Sequence, residues 1–230
     1  MNENTVIHWS VLTIGHLSRN RFWGEDDATA RRSPLCTSVL LRCAPEETIL
    51  VDPPLPPDEM AGLLDRRAGI TPADVTRIFL THFHGDHRIG LDAFPDVPWQ
   101  MSDREFVYWD TRLAKDAPER RLLARITPVP AEGGRLVSGV TTIHLPGHTP
   151  GLTGLRFDDP DGNRVVIAAD AAMTRDFFEA RAGYFNSDDF EQCAQSIDRL
   201  RAEADVIVPG HDNFFHNARR AAGRSGVTAA

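Results

Sequence analysis

The sequence predicts an α/β protein in which two similar β-sheets pack face to face with helices outside. Strands, then a helix, then a strand ending in a polar loop occur once before residue 100 and again after residue 130, a coarse internal duplication. Apolar runs of strand length, among them Ile78-Phe79-Leu80 and Val165 to Ala168, stop at clusters of His and Asp. That is the arrangement in which a rigid sheet holds a loop that does chemistry. A chain of 230 residues with 41% hydrophobic and 25% charged content suits one domain with a large core. Residues 1–230 are therefore expected to form a single domain, with 222–230 a frayed tail.

Val6 to Ile14 reads as the first strand, and His16 follows a glycine, either in a site or simply in a loop. The polar stretch Ser18 to Pro34 carries Phe22 and Trp23 and is either a mobile cover or an ordinary excursion. Strands at Thr37 to Arg42 and Thr48 to Val51 flank the turn Ala44-Pro45-Glu46-Glu47. Asp52 ends the second of them, and its carboxylate either orients a metal-binding histidine or forms a turn before Pro53. Asp58 to Ala68 has helical spacing with Met60, Leu63 and Leu64 inward, and Thr71-Pro72-Ala73-Asp74 has the cap, proline and acid of a helix start. Val75 to Leu80 is a strand. Ile89, Leu91 and Phe94 suit a short helix, and Val97-Pro98-Trp99 suits an edge strand because of its proline. Ser102-Asp103-Arg104-Glu105 has the spacing of a capping box and opens a helix with Phe106, Trp109 and Leu113 on one face, which Pro118 restarts. Strands recur at Leu136 to Val137, Val140 to Leu145, Leu152 to Phe157 and Val165 to Ala168, separated by glycine-containing turns. Phe190, Cys193, Ala194, Ile197 and Leu200 form an amphipathic helical face before a last strand, Asp205 to Val208.

The net charge of −8 argues against a protein whose main task is holding nucleic acid. No apolar run is long enough for a bilayer, and Met1-Asn2-Glu3-Asn4 lacks the pattern of a signal peptide. Cys36, Cys43 and Cys193 form no CxxC pair and read as small buried hydrophobes. The expectation is a cytoplasmic protein that acts on a small molecule and has no membrane partner.

The chemistry concentrates in Thr81-His82-Phe83-His84-Gly85-Asp86-His87. Side chains two apart in an extended segment share a side, so His82 and His84 can converge on one ion. Gly85 is expected to allow the sharp backbone change that turns Asp86 and His87 toward a second ion. Three imidazoles and a carboxylate this close form a repulsive, desolvated cluster unless a cation sits among them. Neutral imidazole and carboxylate suit zinc and its neighbours. Three later strand ends carry further candidates: His148 in Pro-Gly-His-Thr-Pro-Gly, Asp170, and His211 in Pro-Gly-His-Asp.

Taken together, His82-x-His84-x-Asp86-His87, His148, Asp170 and His211 resemble the metallo-β-lactamase superfamily of hydrolases, over roughly residues 6–215. The resemblance implies an αββα sandwich of two mixed β-sheets flanked by helices. It also implies a dinuclear centre with His82, His84 and His148 on one metal, Asp86, His87 and His211 on the other, and Asp170 bridging. Two divalent ions are implied, zinc first, with iron or manganese acceptable to the same donors. A metal-bridging hydroxide would then cleave a small ester, lactone or thioester, with Asp86 as the catalytic acid–base group. In size, and from Asp170 to Pro-Gly-His-Asp, the chain is most similar to the compact homoserine-lactone lactonases. Those place a tyrosine three residues after the bridging Asp, where this chain has Met173, so Tyr184 or Tyr108 would have to supply the phenol. Enzymes that cleave β-lactams typically have cysteine where this chain has Asp170, which argues against that activity. The alternatives are a phosphodiesterase or small nuclease, with Arg88 and Arg175 near its mouth, and a non-catalytic member that uses metal as scaffold.

Overall fold

A computed structural model describes residues 6–43, 46–218 and 220. The first sheet takes its six strands in chain order: β1 (Ile7–Thr13), β2 (Ser38–Cys43), β3 (Glu47–Val51), β4 (Arg77–Leu80), β5 (Trp99–Ser102) and β6 (Ile126–Val129). β1 to β3 pair antiparallel, and β3 to β6 pair parallel. The second sheet is built from β7 (Arg135–Val137), β8 (Val140–His144), β9 (Thr153–Asp158), β10 (Arg164–Ala169), β11 (Val206–Pro209) and β12 (Phe215–His216), again in sequential order. Only β10 and β11 run parallel there. Around the sheets lie α1 (Pro57–Ala68), α2 (Gly85–Arg88), α3 (Asp103–Arg112), α4 (Arg120–Leu123), α5 (Arg175–Ala180) and α6 (Phe190–Glu203).

Alternation along the strands sorts the core into layers. Phe79 of β4 meets Val165 and Ile167 of β10 and Val206 and Val208 of β11 in the cluster between the sheets. Its neighbours Ile78 and Leu80 face the other way, against Met60, Leu63 and Leu64 of α1. On the far side Val166, Ala168 and Ile207 pack on Ile197 and Leu200 of α6. Strands buried on both faces read as continuous apolar runs, and those runs are β4, β10 and β11. The result is the αββα sandwich of two mixed sheets. Among the described residues no helix is long and apolar enough to cross a membrane.

Several local expectations change. β5 lies inside its sheet, between β4 and β6. Pro98 precedes the paired residues and enters the ladder only through its carbonyl, which accepts from Ile78 N at 3.0 Å. Thr71 to Asp74 closes a single 3-10 turn, with Thr71 N donating to Asp74 Oδ2 at 2.7 Å, and Val75 is already extended toward β4. Ile89 and Phe190 point outward at 47% and 54% exposure, whereas Leu91 and Phe94 are buried as expected. β6, α5 and the two-residue β12 are additional elements too short for a periodic signal. The turn at Ala44-Pro45 and the tail 222–230 lie outside the described residues.

Candidate metal centre

Five strand ends, those of β3, β4, β8, β10 and β11, converge on one edge of the sandwich. Where β3 ends, Asp52 adopts φ +51, a left-handed conformation that costs a non-glycine residue strain. In that position its buried carboxylate accepts from Thr81 N at 2.8 Å, Thr81 Oγ1 at 2.7 Å and His87 Nδ1 at 3.0 Å. Because the Thr81 hydroxyl gives its proton to Asp52, it accepts from His82 Nδ1 at 3.2 Å. One carboxylate thereby sets which nitrogen of His82 and of His87 faces away from the site, so that in the neutral ring each Nε2 presents its lone pair to it. Of the two readings of Asp52, it orients histidines.

The remaining arms arrive singly. His148 follows β8, its Nδ1 lying 3.4 Å from Ser187 Oγ and its carbonyl accepting from Asp188 N at 3.2 Å. Asp170 follows β10 after Ala169, which has φ +44. Gly210, at the end of β11, leaves room for it: a Cβ there would come within 2.0 Å of Asp170 Oδ1. His211 follows, with Nδ1 donating to Leu35 O at 2.9 Å and His16 O at 3.2 Å.

All seven candidate donors meet. His84 Nδ1 lies 3.0 Å from His82 Nε2 and 2.9 Å from His148 Nε2. Asp170 Oδ2 is 3.7 Å from His82 Nε2 and 3.3 Å from His148 Nε2. The other oxygen, Oδ1, is 3.3 Å from His87 Nε2 and 3.4 Å from His211 Nε2. Asp86 Oδ2 stands 4.0 Å from His87 Nε2 and 3.7 Å from His211 Nε2. His82, His84, His148 and Asp170 form one group, and Asp86, His87 and His211 another, with ligand atoms inside each within 4.8 Å of one another.

Charge is divided unevenly. Burial, reinforced by His87, holds His82 well below the usual imidazole range, and burial takes His148 to about 4 against the pull of Asp170. Burial also opposes charge on His87 and His211, but Cys36, Asp170, Asp86 and Asp52 around the first and Asp170 and Asp86 around the second outweigh it and raise both. Asp170 pays a burial penalty too, yet His211, His87, His82 and His148 keep its carboxyl well below the ordinary range.

The arrangement fits divalent cations. His87 Nε2 and Asp170 Oδ1 are buried without a hydrogen-bond partner, a condition rare for buried polar atoms. Spacings of 2.9 to 3.7 Å in the first group bracket the edge, roughly 3.3 Å, of a tetrahedron with metal–nitrogen bonds of about 2.0–2.1 Å. Imidazole and carboxylate donors without thiolate suit zinc and comparable divalent ions.

Other candidates fall outside this cluster. His16 contributes its carbonyl, and its ring belongs to neither donor group. The stretch from Ser18 to Pro34 is bonded within itself and to Tyr184. Arg31 N and Arg32 N donate to Ser18 O, Arg32 pairs with Glu25, and Ser18 Oγ lies 3.1 Å from Tyr184 Oη. Tyr184 donates to Arg19 O at 2.9 Å, while Tyr108 donates to Asp188, so both phenols are engaged by the protein. Met173 is buried beside Leu17, Phe177 and Tyr184. Gly85 is absent from the positive-φ positions, and a Cβ there would meet nothing within 4 Å. The turn toward Asp86 instead comes from the change between extended His84 and the first turn of α2, which any residue can make. The sequence reading gave Glu105, Thr81 and Trp109 no supporting part in the site. Glu105 stood in a capping pattern, and its buried carboxylate in fact bonds Phe83 N, Trp109 Nε1 and Thr149 Oγ1.

Fold and donor set together define one class of protein. A family model described as the metallo-beta-lactamase superfamily matches residues 34–211, and the chain belongs to that superfamily. It is 29% identical over 160 residues to an N-acyl homoserine lactonase of Bacillus sp, a match covering 67% of this chain and 62% of that protein. The lactonase AttM of Rhizobium radiobacter is 28% identical over 174 residues, covering 67% of this chain and 65% of its own. The matched stretch thus spans less than two thirds of either relative. Among solved structures, B. thuringiensis AiiA with N-decanoyl-L-homoserine bound at the active site superimposes with TM-score 0.68 at 22% identity, covering 92% of this chain and 94% of that one. AidC, described as a dizinc quorum-quenching lactonase, gives 0.62 at 21%, covering 76% and 72%. At these identities the superpositions establish the shared fold.

Proposed function

We propose that the protein is a hydrolase that uses two divalent cations, zinc in the native state, to open a small lactone or related ester in the cytoplasm. The observation that carries the reading is Asp170, with Oδ2 toward His82 and His148 and Oδ1 toward His87 and His211. In this reading His82, His84 and His148 hold one cation, Asp86, His87 and His211 hold the other, and Asp170 joins them. When bound, such a pair supplies hydroxide near neutral pH and Lewis-acid polarisation of an acyl carbonyl. Asp86, whose side chain is 17% exposed against 3% for Asp170, takes a proton from the attacking water and returns it to the departing oxygen. With Met173 where lactonases carry tyrosine, and with Tyr108 and Tyr184 engaged elsewhere, Asp86 is the proton donor for that oxygen. The matches to lactonases support the substrate class.

The phosphodiesterase reading draws little support from its arginines. Arg88 donates to Phe83 O at 2.9 Å and pairs with Glu119 at 3.7 Å, and Arg175 lies over the Phe215 ring. Metal analysis of the purified protein, with a panel of lactones, thioesters, β-lactams and phosphodiesters, tests the proposal. Lactone turnover that vanishes on chelation and returns with Zn2+ is expected. Turnover of phosphodiesters alone, or lactone opening indifferent to chelation, would overturn it.

A further inference from the structure

We propose that Glu105 is a positioning residue for the cation assigned to His82, His84 and His148, acting by tying the two loops that carry those ligands to one helix. This rests on the reading of the three histidines as metal ligands. Glu105 lies in the first turn of α3 and is 0% exposed, a costly place for a carboxylate unless donors surround it. Three do. Oε1 accepts from Phe83 N at 3.1 Å, between His82 and His84 in the chain, and from Trp109 Nε1 at 2.7 Å. Oε2 accepts from Thr149 Oγ1 at 2.7 Å, next to His148.

The cap of α3 releases the carboxylate for this task. Ser102 Oγ accepts from Glu105 N at 3.1 Å and donates to Gly151 O at 2.7 Å, so the helix start is itself bonded to the His148 loop. The approach is close enough that a Cβ on Gly151 would lie 2.1 Å from Glu105 N. One turn on, the Trp109 ring stands edge-on to His84 at 5.7 Å, limiting how that imidazole can swing. Phe83, His84 and the His148 loop are thus referred to one rigid element, with Glu105 the side chain that bonds both loops and Ser102 and Trp109 beside it. His87 and His211 are referred elsewhere, to Asp52 and to the carbonyls of Leu35 and His16. Losing Glu105 should therefore weaken one cation selectively.

The test titrates chelator-stripped protein with Zn2+ and with Co2+, reading stoichiometry, the two affinities and the Co2+ visible spectrum, alongside thermal unfolding of the stripped proteins. For Glu105→Ala we expect one of two affinities to fall about 10–100-fold, the other to stay within a few-fold, and one set of Co2+ bands to change. Glu105→Gln, which keeps one oxygen acceptor, should recover part of the loss. Thr149→Val should reproduce part of it, and these two variants carry the test should Glu105→Ala not fold. Both cations weakened equally, or neither weakened, in variants that fold would overturn the inference, as would a loss explained entirely by lower stability of the stripped protein. A wild-type protein that binds fewer than two cations would instead overturn the metal-site reading beneath it.

Discussion

Residues 81–87 deliver four donors from one strand end, whereas His148, Asp170 and His211 arrive singly from three. The first block is organised locally. Extended alternation sets His82 and His84, one turn of α2 sets Asp86 and His87, and side chains fix it from behind. In the second set each donor is placed by tertiary packing: Asp170 by a backbone approach that only glycine at 210 permits, and His211 by the carbonyls of His16 and Leu35, 195 and 176 residues earlier in the chain. The first block takes its backbone course from local structure and needs other elements only to hold its amides and side chains. A donor placed by packing depends on those elements for its position.

That contrast can be tested, beginning with the residue on which both donor sets depend. Asp170→Ala removes the carboxylate whose two oxygens face both groups and leaves five imidazoles with only Asp86 among them. Metal analysis should show both cations lost or weakened by more than ~100-fold, beyond the roughly 10–100-fold typical of outer-shell changes, with turnover abolished. Asp86→Ala should divide the site, retaining one cation at His82, His84 and His148 while the hydrolysis rate drops about 10²–10⁴-fold. Retained turnover would remove Asp86 from the proton path. Gly210→Ala places a methyl against Asp170 and should cost about 1–3 kcal/mol in a denaturant titration, together with weaker metal binding. Gly85→Ala, with open space around it, should stay within about 0.5 kcal/mol. Equal costs would mean that the two loops are not built differently. The smallest effect lies outside the centre. Arg199 beside Glu132 holds its carboxyl down to about 2, so that pair stabilises the fold fully above the unfolded carboxylate range near 4.5 and loses its contribution as pH falls toward 2. Glu132 is half exposed, so Glu132→Gln should cost no more than ~1 kcal/mol at pH 7. Its urea midpoint should converge on that of wild type in acid.

The layered fold was legible because strands buried on both faces leave uninterrupted apolar runs, and the candidate donors because each lies in the loop or short helical turn that follows a strand. What stayed hidden shares one physical cause. Glu105 is bonded to Phe83 22 residues before it and Thr149 44 residues after it, and contacts at that range leave no periodic trace. Its spacing from Ser102 matched a local cap, and half of that cap exists, since Ser102 does accept from Glu105 N. Asp52 was ambiguous for the same reason, its partners Thr81 and His87 lying in another strand's loop. Pro98 misled in the other direction, because whether a proline interrupts a ladder depends on which neighbour needs its N–H.

The bridge between His16 and Leu35 closes the long excursion at its base, and the two groups that reach His211 from there are main-chain carbonyls. Main-chain oxygens are the same whatever residue carries them. The intervening segment can therefore change in length and character without disturbing the histidine's support, as long as the bridge at its base is kept.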